Sequence, residues 1–137
     1  MYEGHFGLTF NPFRTTAQGP TVFVGPQQQK TISSLQKALR GADNIVTVSG
    51  PAGIGKTTLL TRALETNKAH QMVAWIGRMR LAPDEVMELL LAGFGVAKPP
   101  ASNVRRLAYF NRILTDRAKK NIRVVIVIED ALRIGNE

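Results

Sequence analysis

The sequence predicts an α/β fold with a doubly wound parallel sheet, on three observations. Short β-branched runs alternate with helical stretches along the 137 residues. One run, Val124–Ile128 (VVIVI), is apolar at every position, as in a strand covered on both faces. A glycine-rich loop joins another run, Asn44–Ser49 (NIVTVS), directly to a helix.

Each element has its own local cause. Residues 1–25 read as an irregular segment, broken by Asn11-Pro12, Gly19-Pro20 and Gly25-Pro26, with Phe6, Leu8, Phe10 and Phe13 as apolar anchors. From about Gln27 to Leu39, Ile32, Leu35 and Leu39 fall at helical spacing, and Gly41 is a suitable stop. A helix from Lys56 to about Thr66 follows the loop, and Met72–Ile76 (MVAWI) reads as a buried strand with Trp75 in the core. Pro83 suits a first helical turn, and Asp84 and Glu85 favour the positive end of its dipole, so a helix runs to Gly93–Gly95. After the linker Lys98-Pro99-Pro100, Ser102 or Asn103 caps a helix to about Asn121, with Leu107, Phe110, Ile113, Leu114 and Ala118 facing inward.

The loop carries the chemistry. GPAGIGKT at Gly50–Thr57 meets the pattern G-x-x-x-x-G-K-[ST] in the right setting, strand before and helix after. Gly50, Gly53 and Gly55 let the backbone curl, so that the loop Pro51-Ala52-Gly53-Ile54-Gly55 can turn its N–H groups, which Pro51 lacks, and those of the helix start toward phosphate oxygens. Lys56 supplies a point charge for the β- and γ-phosphates, the Thr57 hydroxyl completes a Mg²⁺ shell, and Thr58 adds a phosphate contact. A plain glycine-rich turn would explain the glycines but not the Lys-Thr behind them. The expected ligand is therefore a purine nucleoside triphosphate with Mg²⁺.

Such a loop needs a carboxylate at a neighbouring strand end for the metal and a second to orient water. Glu129 and Asp130 stand where VVIVI stops. Their Glu-Asp order reverses the usual one, and an all-apolar strand leaves the register open. In one register Glu129 serves the metal and Asp130 the water; shifted by one, Asp130 serves the metal and Ala131 cannot act.

In order, MYEGHFGLTFNPF, GPAGIGKTTLLTRAL, MVAWIGRMRLAPDEVMELLLAGFGV and VVIVIEDA resemble the AAA-type ATPases of the general secretion pathway protein A (ExeA) group. The resemblance implies an αβα P-loop domain over residues 26–137, ATP as nucleotide, and hydrolysis that drives assembly of a secretion or envelope complex. It carries phosphate binding onto Gly50–Thr58 and the Walker B acids onto Glu129 and Asp130; it carries over no adenine contact, for which Asn11, Pro12 and Phe13 are guesses. Absence of an N-K-x-D motif agrees with ATP over GTP. The family pattern also contains a further strand with a sensor residue, an arginine finger and a helical lid, whereas this sequence ends seven residues after Asp130. That difference leads us to expect an incomplete AAA+ core, a truncated product or fragment of a chain that oligomerises in full and is anchored at the inner membrane.

Composition sets the outer limits. No cysteine occurs, so disulfide and thiolate-metal chemistry are excluded, and no apolar run approaches a membrane span's length. These features fit a cytoplasmic chain. His5 and His70 are isolated, without ligand-spaced partners. Net charge is +8, and eight basic residues against one acid lie between Lys98 and Arg123. We read this segment as a solvated helix face, since no aromatic ladder accompanies it; nucleic-acid binding, as in a transposition-type ATPase, is the alternative. A nucleotide-dependent interaction module without hydrolysis is the other.

Overall fold

The computed structural model describes residues 2–9, 23–41, 45–66, 68–77 and 81–131. Two compact units divide the chain, Met1–Thr66 and Asn67–Glu137. In the first, a one-turn helix α1 (Tyr2–His5) occupies part of the stretch expected to be irregular. Phe6 and Leu8 are exposed rather than anchored, and Phe10, Asn11, Pro12 and Phe13 lie outside the described residues.

Helix α2 (Pro26–Arg40) opens with Pro26 in its first turn and ends where the Gly41 amide donates to the carbonyls of Lys37 and Ala38. Helix α3 (Lys56–Glu65) packs against it. Ile32 and Leu35 meet Ala63, flanked by Val24, Leu39, Leu59 and by Val46 and Val48 of the extended run before the loop. That run departs from expectation. Ile45–Ser49 has strand-like alternation, Val46 and Val48 inward, Ile45 and Thr47 outward, but pairs with no strand. A β-branched run becomes a strand only when a neighbour takes its amides and carbonyls, and none among the described residues does.

The second unit holds the sheet: two parallel strands, β1 (Gln71–Ile76) and β2 (Arg123–Ile128), in register from Gln71 opposite Arg123 to Ile76 opposite Ile128. A single 3₁₀ turn, Lys68–His70, leads into β1. Between the strands run α4 (Pro83–Gly93) and α5 (Asn103–Lys119), the helical crossover that a parallel pair requires. At the start of α4, a Glu85 carboxylate oxygen accepts a hydrogen bond from the Ala82 amide at 2.7 Å. The core joins Ala74 and Ile76 to Leu90 and Phe94, with Phe110 stacked on Phe94 at 6.0 Å between ring centroids.

Three burial expectations change. Trp75 is 39% exposed, and Ile126 and Ile128 are 39% and 46% exposed, so β2 is not covered on both faces. Ser102 stands at the N-cap of α5 but makes no side-chain cap bond. Leu107 and Ala118 of α5 face outward, and Arg106 and Arg117 take their places beside Phe110, Ile113 and Leu114. The reason is electrostatic and steric: the Arg106 side chain reaches across to α4 and stays with the inner row.

Candidate functional site

The loop between Ile45–Ser49 and α3 has the geometry its residues demand. Gly53 and Gly55 both adopt positive φ, 81° and 90°, a region that L side chains rarely enter. Gly55 is the N-cap of α3, and its carbonyl accepts the Leu59 amide at 2.9 Å, closing the first helical turn. Nothing lies within 4 Å of where a Cβ would stand at either glycine, so the constraint there is backbone conformation rather than crowding.

That curl leaves an open set of donors. No backbone acceptor among the described residues takes the amides of Gly53, Ile54, Gly55, Lys56 or Thr58. The α3 dipole adds positive potential at the same end. Lys56, the first residue of α3, folds back across the loop and donates from Nζ to the carbonyls of Gly50 and Pro51, both at 2.9 Å. Its ammonium is thus held among the loop's own residues. Thr57 and Thr58 are half-buried in the first turn, and the Thr57 carbonyl accepts the Thr61 hydroxyl at 2.8 Å.

A shallow groove of about 350 Å³ lies toward the other end of α3, beside the Arg62–Glu65 ion pair and Gln36 of α2. It takes no part of the loop.

Glu129 and Asp130 lie in the second unit, at the end of β2. The Glu129 amide still donates to the Ile76 carbonyl at 2.9 Å, so Glu129 continues the parallel ladder one residue past the strand. Asp130 is already outside it, with φ of 51° in the left-handed region. An all-apolar sequence could not show this break in conformation between the two acids. Among the described residues, no three His, Cys, Asp or Glu side chains form a metal cluster, and His5 and His70 join none. No helix among them is long and apolar enough to cross a membrane.

The residue that sequence reasoning missed is Arg106. Its guanidinium bonds the Pro100 carbonyl at 2.6 Å, the Asp84 carbonyl at 3.2 Å, Asn103 Oδ1 at 3.3 Å and the Glu88 carboxylate at 3.0 Å. The only signal was its place in the inward row of α5, four residues before Phe110.

A glycine-curled loop at a helix start, with a lysine directly behind it, in a chain that also holds parallel strands linked by helices, defines an α/β nucleotide-binding protein of the P-loop class. A family model described as an AAA domain matches residues 39–137, which take in both the loop and the acids. The chain therefore belongs to the AAA domain family, whose members are nucleotide-binding ATPases. No curated protein and no solved structure matches it.

Proposed function

We propose that the chain binds ATP with Mg²⁺ through Gly50–Thr58 and belongs to an ATPase that hydrolyses it. The observation that carries this reading is the set of amides at Gly53–Lys56 and Thr58 that no backbone acceptor takes among the described residues, in a loop across which Lys56 folds back. Those residues fit a polyphosphate tail: the donors are unclaimed by backbone acceptors, and the one cation is tethered only to two carbonyls that phosphate oxygens can replace. Thr57 would offer its hydroxyl to the metal, and Glu129 would hold the metal's waters. Mg²⁺ supplies charge neutralisation between the β- and γ-phosphates when bound. Residues 26–137 form the nucleotide domain in this reading.

Asp130 favours a second reading. Its left-handed backbone turns it off the ladder that Glu129 still follows, so the two acids do not share one strand conformation. Hydrolysis assigns Asp130 to the attacking water; a nucleotide-dependent interaction module has no need of it. Steady-state phosphate release separates these. Asp130→Asn should cut turnover by about 100-fold, the scale of a lost general base, with ATP affinity kept. Equal rates in the two proteins would favour the module.

Assembly of a secretion or envelope complex is supported by the resemblance of the MYEGHFGLTFNPF opening alone. Cells that export normally with Lys56→Ala in place of the wild type would contradict that use.

A further inference from the structure

The basic excess of the chain does not spread evenly over α5. It is sorted. Arg106 and Arg117 turn inward, while Arg105, Arg112 and Lys119 are exposed at seven-residue intervals. Seven residues is close to two helical turns, so the three cations stand in a row about 10.5 Å apart, spanning about 21 Å. No hydrogen bond or ion pair holds Arg105 or Arg112 among the described residues, and Lys119 exerts only a Coulombic pull on Asp116.

Two further residues complete the row. Tyr109, 43% exposed, lies between Arg105 and Arg112, so an aromatic ring does accompany the charge. Asp116 lies between Arg112 and Lys119, and it is already engaged: Lys120 Nζ donates to it at 3.1 Å. That hydrogen bond is the main cause that holds the Asp116 carboxyl below its ordinary value of 3.8; desolvation comes next and opposes it, and the charges of Lys120, Arg117 and Lys119 add to the lowering. The acid therefore does not leave an uncompensated negative charge in the row. Beside it the outer face carries Ala108, Asn111 and Thr115, small or polar, with the Thr115 hydroxyl donating to the Asn111 carbonyl at 2.9 Å.

We infer that the outer face of α5 docks the phosphate backbone of a nucleic-acid duplex, through Arg105, Arg112 and Lys119. Charge complementarity calls for an anionic partner, and the shape of the face selects among them. A lipid surface takes a helix by a broad apolar side; here the face beside the cations is Val104, Ala108, Asn111 and Thr115, with Val104 its one large apolar residue, and the exposed Leu107 stands on the opposite side of the helix. An acidic protein partner would need central apolar anchors, of which the row has one, Tyr109. Evenly spaced cations with amide and hydroxyl groups suit phosphate and sugar oxygens, whose contacts carry no sequence information. The inference rests on α5 alone and stands or falls apart from nucleotide binding at the loop.

The full chain should bind a fluorescein-labelled mixed-sequence duplex of about 25 base pairs in anisotropy titrations, with three phosphates neutralised. Affinity then falls with salt at a logarithmic slope of about −2.7, or about 40-fold between 50 and 200 mM. Arg105→Gln/Arg112→Gln/Lys119→Gln should abolish most of that slope and weaken binding at least about 10-fold at 50 mM. Lys30→Gln/Lys37→Gln/Lys68→Gln removes the same charge from other exposed positions and should leave the slope close to the wild type's. An unchanged ATP-analogue affinity and melting curve in the α5 variant shows that it is folded. Failure of the wild type to bind at 50 mM salt, equal loss in both triple variants, or displacement of the duplex by phosphatidylserine-containing vesicles would each overturn the inference.

Discussion

At the scale of single residues, backbone conformation and side-chain reach decide what the loop does. Gly55 sits at φ 90° as the N-cap of α3 with open space where a Cβ would be, so a substitution there is costly for torsional reasons alone. Gly55→Ala should destabilise the folded first unit by about 1–2 kcal/mol and weaken nucleotide binding, because relief of the strain turns the loop amides away. Chemical denaturation and an ATP-analogue titration check both; a variant that matches the wild type in each would show that the left-handed turn is dispensable. Much of this was legible. The glycine spacing and the Lys-Thr pair specify the curl and its cation, because phosphate chemistry admits few other arrangements. The two hydrogen bonds from Lys56 to Gly50 and Pro51 were not legible, since they depend on a rotamer that no pattern encodes. Nor was the positive φ of Asp130, where the chain leaves the ladder.

At the scale of elements, burial follows whichever side chain reaches a partner, even at the expense of apolar periodicity. Helix α5 shows this. Its pattern placed Leu107 and Ala118 inward, yet the helix sits so that Arg106, 12% exposed in its side chain, ties α5 to the Pro100 linker and to α4 through three acceptors. Arg106→Ala should cost about 2 kcal/mol, the range of a charged hydrogen-bond centre whose partners lose their donor. Arg106→Lys should recover little, because one ammonium cannot span acceptors that a planar fork reaches. Equal stability of the wild type and Arg106→Ala in urea unfolding would remove Arg106 from that role. Helices α2, α3 and α4 followed their sequence signals closely, Pro83 at the start of α4 and Gly41 just past the end of α2, because those signals act within one turn. Close approach added one constraint that the pattern hid: a Cβ on Gly93 would come within 3.1 Å of the Ala74 Cβ, so α4 lies nearly against β1.

At the scale of the whole molecule, pairing between distant segments was the hardest thing to read. VVIVI and MVAWI announced strands, and their parallel direction follows from the crossover that α4 and α5 provide, whereas the register, Gln71 opposite Arg123, does not. NIVTVS announced a strand equally well, yet Ile45–Ser49 has no ladder partner among the described residues, since pairing belongs to two segments and only one of them is in the run itself. The nucleotide reading does not depend on that pairing. It depends on open amides and a cation at the start of α3, in a chain that belongs to the AAA domain family. Calorimetric titration of the wild type and Lys56→Ala with a non-hydrolysable ATP analogue and Mg²⁺ tests this most directly. The wild type should bind with one site, and Lys56→Ala should bind about 10- to 100-fold more weakly, the worth of a charge-assisted contact to phosphate. Equal affinity in the two proteins, or no binding by the wild type, would contradict the account.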